Sequence, residues 1–158
     1  MSFSGYKLPT DQPEQLIVKS QDNTNPDYGC EPDKRDFESL LQYGVINLDK
    51  PSGPTSHEVS SWVGKILGIH NVGHGGTLDP KVTGVLPCAL GKATRVLSAL
   101  LSAGKEYVCA MLLHSSQQIK KIESIFSIFT GKLYQRPPIK ASVARRLRIR
   151  EIYYINLL

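Results

Sequence analysis

The chain has 158 residues, 41% of them hydrophobic, and a formal charge of +5, which suits a folded domain with a core of its own. No run approaches the ~20 apolar residues of a membrane span, and the first residues hold no apolar signal core, so the expectation is a soluble, intracellular protein. Cys30, Cys88 and Cys109 are odd in number and widely spaced, which argues against both a disulfide framework and a zinc knuckle.

In chain order, residues 1–43 are polar and proline-rich, with 8 acids against 4 bases. They read as an extended leader ending in a short helix near Phe37–Tyr43. Residues 44–158 reverse the balance, with 6 acids and 15 bases, and read as one domain. Gly44 to Leu48 is an apolar strand, stopped by Asp49-Lys50-Pro51-Ser52-Gly53-Pro54. This puts Lys50 in a turn between a strand and a helix. The helix begins at Thr55, whose T-x-x-E spacing to Glu58 is a capping box; Val59, Val63, Ile66 and Leu67 line one face, and Gly68 stops it.

Next comes His74-Gly75-Gly76-Thr77-Leu78-Asp79-Pro80, one carboxylate inside a glycine-rich turn. Gly73, Gly75 and Gly76 lack Cβ atoms, so positive φ and close approach to a ligand are open to them, and Pro80 stiffens the chain after Asp79. The segment reads as a site. No G-x-x-x-x-G-K-[ST] accompanies it, which argues against a phosphate-binding loop for nucleotides. His57, His70, His74 and His114 are too scattered for a local metal motif, and no metal is expected.

Residues 93–103 have a helical period ending at Gly104, and Tyr107 to Leu113, apolar on both alternating faces, predict a strand covered on both sides or central in a sheet. Ile119, Ile122, Phe126 and Phe129 mark another amphipathic helix closed by Gly131. Ile152 to Leu158 begins a final strand. Between Gly131 and Arg150 lie seven Lys or Arg and no acid, a charge pattern suited to a phosphate backbone. Arg148 and Arg150 should share one side of a strand, apart from Leu147 and Ile149.

Three separated motifs, Gly44 to Val59, Val72 to Pro87 and Gly104 to Val108, together resemble the TruB/dyskerin family of RNA pseudouridine synthases. Asn25 to Gly29, Gln135 to Pro138 and Arg145 to Arg150 are closer to its archaeal and eukaryotic branch, the catalytic subunit of box H/ACA ribonucleoproteins. The lack of lysine-rich tails is archaeal in style. The resemblance runs from about Leu16 to Leu158. It implies an α+β pseudouridine synthase fold with a mixed, mostly antiparallel sheet flanked by helices. On this reading the domain is incomplete at its C-terminus, lacking an arginine strand and a PUA domain.

The implied reaction converts uridine to pseudouridine without a cofactor. Asp79 is its essential acid, Tyr107 stacks on the extruded uracil, and Lys50, His74, Gly75 and Gly76 shape the substrate site. Arg136, Lys140, Arg145, Arg146, Arg148 and Arg150 are expected along the RNA. The implied partners are a guide RNA, a target rRNA or tRNA, and H/ACA accessory proteins, in the cytoplasm for an archaeal-type protein and the nucleolus for a eukaryotic one. The alternatives are a guide-independent tRNA pseudouridine synthase and a non-catalytic RNA-binding or assembly fragment.

Overall fold

A computed structural model describes residues 15, 17–23, 25, 27–139 and 144–158, which fall into two compact units, Gln15–Ala103 and Gly104–Leu158. Lys140 and residues 1–14 lie outside the described residues. No helix among the described residues is long and apolar enough to cross a membrane.

The first unit opens with α1 (Phe37–Tyr43), the short helix expected there. Its N-cap is Asp36, whose Oδ1 accepts the Ser39 N–H at 2.6 Å, and this bond lowers the carboxyl's pKa. The strand β1 (Val45–Lys50) leads to α2 (Ser56–Leu67), where both halves of the Thr55–Glu58 capping box form. Gly68 ends α2 in the left-handed region at φ 68°, where a Cβ would be strained.

The strands β2 (Val72–His74) and β3 (Gly84–Leu90) complete an antiparallel sheet of order β1-β3-β2, with Lys50 opposite Gly84 and His74 opposite Cys88. The apolar face of α2 packs on this sheet. Val59, Val63, Leu86, Cys88 and Leu90 form the buried cluster, and Ile46, Leu48, Leu67, Ile69 and Val72 border it. Each fully buried aliphatic side chain here is worth about 1.5–3 kcal/mol. Burial pushes the Cys88 thiol pKa up. Ile66, expected on the same helical face, is 82% exposed, because it lies beyond the edge of the stripe formed by Ser56, Val59, Ser60 and Val63.

The opposite side of β2 faces a 3-10 turn at Gly91–Val96 and α3 (Leu97–Ser102), which replace the single helix expected over residues 93–103. The approach is close. A Cβ at Gly73 would stand 2.6 Å from Leu97 Cδ1, and one at Gly75 would stand 3.4 Å from both Leu100 and Pro87. Of Gly73, Gly75 and Gly76, only Gly76 has positive φ, so at the first two the missing side chain serves packing rather than backbone freedom.

In the second unit, α4 (Ile119–Phe129) keeps the expected helical period, with Ile122 and Phe126 half-buried. The strands β4 (Gly131–Gln135) and β5 (Arg148–Ile152) pair antiparallel, Gly131 opposite Ile152 and Gln135 opposite Arg148. Two expectations fail. Tyr107 to Leu113 forms no strand, and Val108 and Leu112 are each 88% exposed. An apolar alternation supplies side chains for two covers, but a strand also needs a ladder partner, and none pairs with it among the described residues. The last strand is Arg148–Ile152 and not Ile152 to Leu158, because the ladder stops where β4 begins, at Gly131.

Two outcomes follow from this packing. Gly73→Ala should cost about 1–3 kcal/mol in denaturant unfolding, since Leu97 must move aside. In the native protein a thiol reagent should titrate the exposed Cys30 and Cys109 quickly and Cys88 only after unfolding, because its raised pKa and burial both withhold thiolate.

Candidate functional site

Residues 75–83 join β2 to β3 at the end of the sheet where β1 also finishes and where α2 begins. Backbone groups in such a loop need partners, and here three neighbouring elements supply them. Ser56, the first residue of α2, is buried; its hydroxyl accepts the Leu78 N–H at 2.9 Å and lies 3.1 Å from the Leu78 carbonyl, to which it donates. Gly53 donates its N–H to the Pro80 carbonyl at 2.8 Å, and Ser52 Oγ donates to the Lys81 carbonyl at 3.3 Å. Gly75 N–H binds the Pro87 carbonyl at 2.8 Å.

Lys50 also holds this loop at two carbonyls. It is not a turn residue, as its Lys-Pro context suggested, but the last residue of β1, with a relative exposure of 0%. Its Nζ donates to the carbonyls of Pro51 at 2.9 Å, Pro80 at 3.1 Å and Val82 at 2.8 Å. An ammonium has three N–H donors, and all three are used. Burying the charge is costly, and converging carbonyl dipoles offset that cost without a carboxylate.

His74 Nδ1 lies 2.7 Å from the Gly76 carbonyl. A carbonyl only accepts, so Nδ1 carries the proton, and the ring fastens the turn while its Nε2 is left for other partners. The Asp79 carbonyl accepts the Val82 N–H at 3.0 Å, closing a turn over Pro80 and Lys81. The backbone is therefore fixed at Leu78 before Asp79 and at Pro80 after it. The Asp79 side chain itself is exposed and has no hydrogen bond or ion pair among the described residues. The arrangement presents one unengaged carboxylate on an anchored backbone.

Lys50, His74, Gly75, Gly76 and Asp79 thus share one loop system, whereas Tyr107 belongs to the second unit and is 59% exposed. Arg148 and Arg150 lie on β5 with Ile149 between them; Arg145 and Arg146 precede that strand and Arg136 follows β4, Arg148 half-buried and the others exposed. Sequence reasoning missed Ser56. Its signal was its place on the stripe Ser56, Val59, Ser60, Val63, because a small hydroxyl on an apolar helix face must find a buried partner. Among the described residues no three of His, Cys, Asp and Glu gather where they could hold a metal ion.

Two family models match the chain: the DKCLD (NUC011) domain over residues 6–60, and the N-terminal domain of TruB family pseudouridylate synthase over residues 64–120. The chain is 55% identical over 152 residues to a Pyrococcus furiosus protein named "Probable tRNA pseudouridine synthase B", covering 96% of this chain and 45% of that one. A Methanosarcina acetivorans protein of the same name is 52% identical over 158 residues, 100% of this chain and 46% of its own. Among solved structures, one described as a Cbf5-Nop10-Gar1 complex matches at a TM-score of 0.88 and 55% identity over 97% of this chain and 47% of that one. Another, an H/ACA RNP bound to a substrate RNA containing 2'-deoxyuridine, matches at 0.83 and 52% over 96% and 45%. The chain spans about half the length of the curated relatives it matches.

Ser56→Ala leaves the part-buried Leu78 N–H without its acceptor, which should cost about 1 kcal/mol. Hydrogen exchange at the Leu78 amide should speed up markedly in that variant while amides within β3 keep their protection; unchanged exchange at Leu78 would mean that the hydroxyl does not hold the loop.

Proposed function

The chain belongs to the TruB/dyskerin family, and from that premise we propose that it is the N-terminal part of an RNA pseudouridine synthase acting on uridine through Asp79. The observation that carries the proposal is the unengaged Asp79 carboxylate on a backbone anchored at Leu78 and Pro80. Pre-fixing a reacting group removes the need to order it during the reaction.

The reaction is an isomerisation. The N-glycosidic bond breaks, the uracil turns within the site, and its C5 bonds to C1′, so no atom is gained or lost overall. The Asp79 carboxylate would act as a nucleophile at C1′ or C6, or as the base that removes a sugar proton; each route uses the charged form. The uridine has to leave its stack to reach this loop, and Tyr107 is the ring proposed to receive it. Lys50 would act as a positioning residue. Its three N–H donors are occupied by carbonyls, so it holds the loop and does not touch the reacting carboxylate.

For the substrate, we favour an RNA selected by a guide RNA within an H/ACA particle, with small accessory proteins docked on the enzyme. This reading is supported by the likeness to solved structures described as Cbf5 with Nop10 and Gar1 and as an H/ACA particle with substrate RNA. A guide-independent reaction on tRNA is the second reading, favoured by the name of the curated relatives. Isomerisation of a tRNA transcript by protein alone would select the second.

Asp79→Asn, in a protein carrying the full length of the family, should abolish pseudouridine formation and leave RNA affinity within a few fold, as judged by tritium release from 5-tritiated uridine and by filter binding. Sustained turnover by that variant would sink Asp79 as the essential acid. Tyr107→Phe should retain most activity and Tyr107→Leu should lose far more, because the ring and not the hydroxyl carries the stacking.

A further inference from the structure

At the other end of the first unit's sheet, an open hollow of about 660 Å³ is lined by Arg35, Tyr43, Lys92, Ala93, Arg95 and Val96. Tyr43 ends α1 just before β1 begins, and Lys92 and Arg95 lie on the turn that follows β3. The loop bearing Asp79 enters β3 at Gly84, while the hollow lies beyond Leu90; six strand steps separate these ends by roughly 20 Å. The two sites are distinct.

Three cations line this hollow and no acid does. Among the described residues Arg35, Lys92 and Arg95 have no ion pair, although Lys34, next to Arg35, is paired with Glu31. The nearby Asp36 carboxylate is turned to its own helix, bound to the Ser39 N–H. Arg35 is half-buried and lines the hollow with no ion pair among the described residues. Lys92 Nζ donates to the Tyr43 hydroxyl at 3.0 Å, which orders the ring and the ammonium together, and Tyr43 remains 45% exposed. Converging like charges repel one another, and an anionic ligand relieves that repulsion.

We propose that this hollow is an RNA-binding subsite, in which Arg35, Lys92 and Arg95 hold backbone phosphates and Tyr43 stacks against an adjoining base. Guanidinium groups match phosphate oxygens in pairs, and an aromatic ring beside cations is the usual pairing for single-stranded nucleic acid. The volume accommodates a nucleotide-sized unit. An acidic protein segment would also satisfy the charges, but it has no use for an exposed ring whose hydroxyl is bound by a lysine. The proposal rests on the reading of the chain as an RNA enzyme and adds a contact far from the reacting uridine, on RNA that flanks it.

The test uses the 158-residue chain and a fluorescein-labelled oligouridylate, followed by anisotropy across a salt series. Each single-strand phosphate contact adds ~0.7 to the log-log salt slope, so R35Q/K92Q/R95Q should lower its magnitude by about two and weaken binding about a hundredfold near 0.1 M salt. K65Q/K120Q/K121Q removes the same charge elsewhere and should change affinity only a few fold. R35K/R95K retains the charges and should keep most of the affinity, with circular dichroism verifying that all variants fold. Equal losses in the two glutamine triples, or no loss in the first, would overturn the subsite. Loss only on neutralising Arg145, Arg146, Arg148 and Arg150 would overturn it and leave the RNA reading standing, whereas failure of the unaltered chain to bind would overturn both. Displacement of RNA by polyglutamate at equal charge concentration, undiminished in R35Q/K92Q/R95Q, would likewise contradict it.

Discussion

A buried ammonium group without a carboxylate is the interaction on which the rest of this site depends. Lys50 ends β1 inside the protein and spends its three N–H donors on the carbonyls of Pro51, Pro80 and Val82. Those acceptors belong to two separate loops, so one side chain draws both onto the end of the sheet. A hydrophobic residue could fill the volume but would orphan the carbonyls of Pro51 and Val82. An arginine could not pack as a compact point charge among three converging oxygens.

The remaining contacts build on that clamp. Ser56 holds Leu78 and Gly53 holds Pro80, so the residues on both sides of Asp79 are tied to α2 and to the loop before it. α2 is itself fixed by its capping box and by Val59 and Val63 in the core, which links the position of the carboxylate to the packing of the sheet. The division of labour is clear. Backbone groups and buried side chains set the geometry, while the acid stays exposed.

Signals that act within one turn of chain were legible in the sequence. The Thr55–Glu58 box, the Gly68 stop and the periodicity of α4 concern residues three or four apart, and each formed as expected. The glycine-rich loop around Asp79 was also legible, and its motifs led to the family. What the sequence hid was the tertiary partner. Lys50 followed by Pro51 has the composition of a turn, yet register with β3 makes it a buried strand end. Gly73 and Gly75 looked like backbone freedom and proved to be clearance for Leu97 and Leu100. Tyr107 to Leu113 had the pattern of a strand but no ladder to join among the described residues. The assignments of Asp79 and Tyr107 to chemistry rest on motifs and on family membership.

The central claim is that Lys50 positions Asp79 without sharing in the chemistry. The most direct measurement is single-turnover pseudouridine formation by the full-length enzyme carrying Lys50→Met, alongside its RNA dissociation constant and its far-ultraviolet spectrum. With the fold retained, the account predicts a rate constant lowered about a hundredfold, the scale of loss when a reacting group is misplaced by about 1 Å, and RNA affinity unchanged within a few fold. A folded Lys50→Met enzyme that isomerises uridine at the unaltered rate would contradict it.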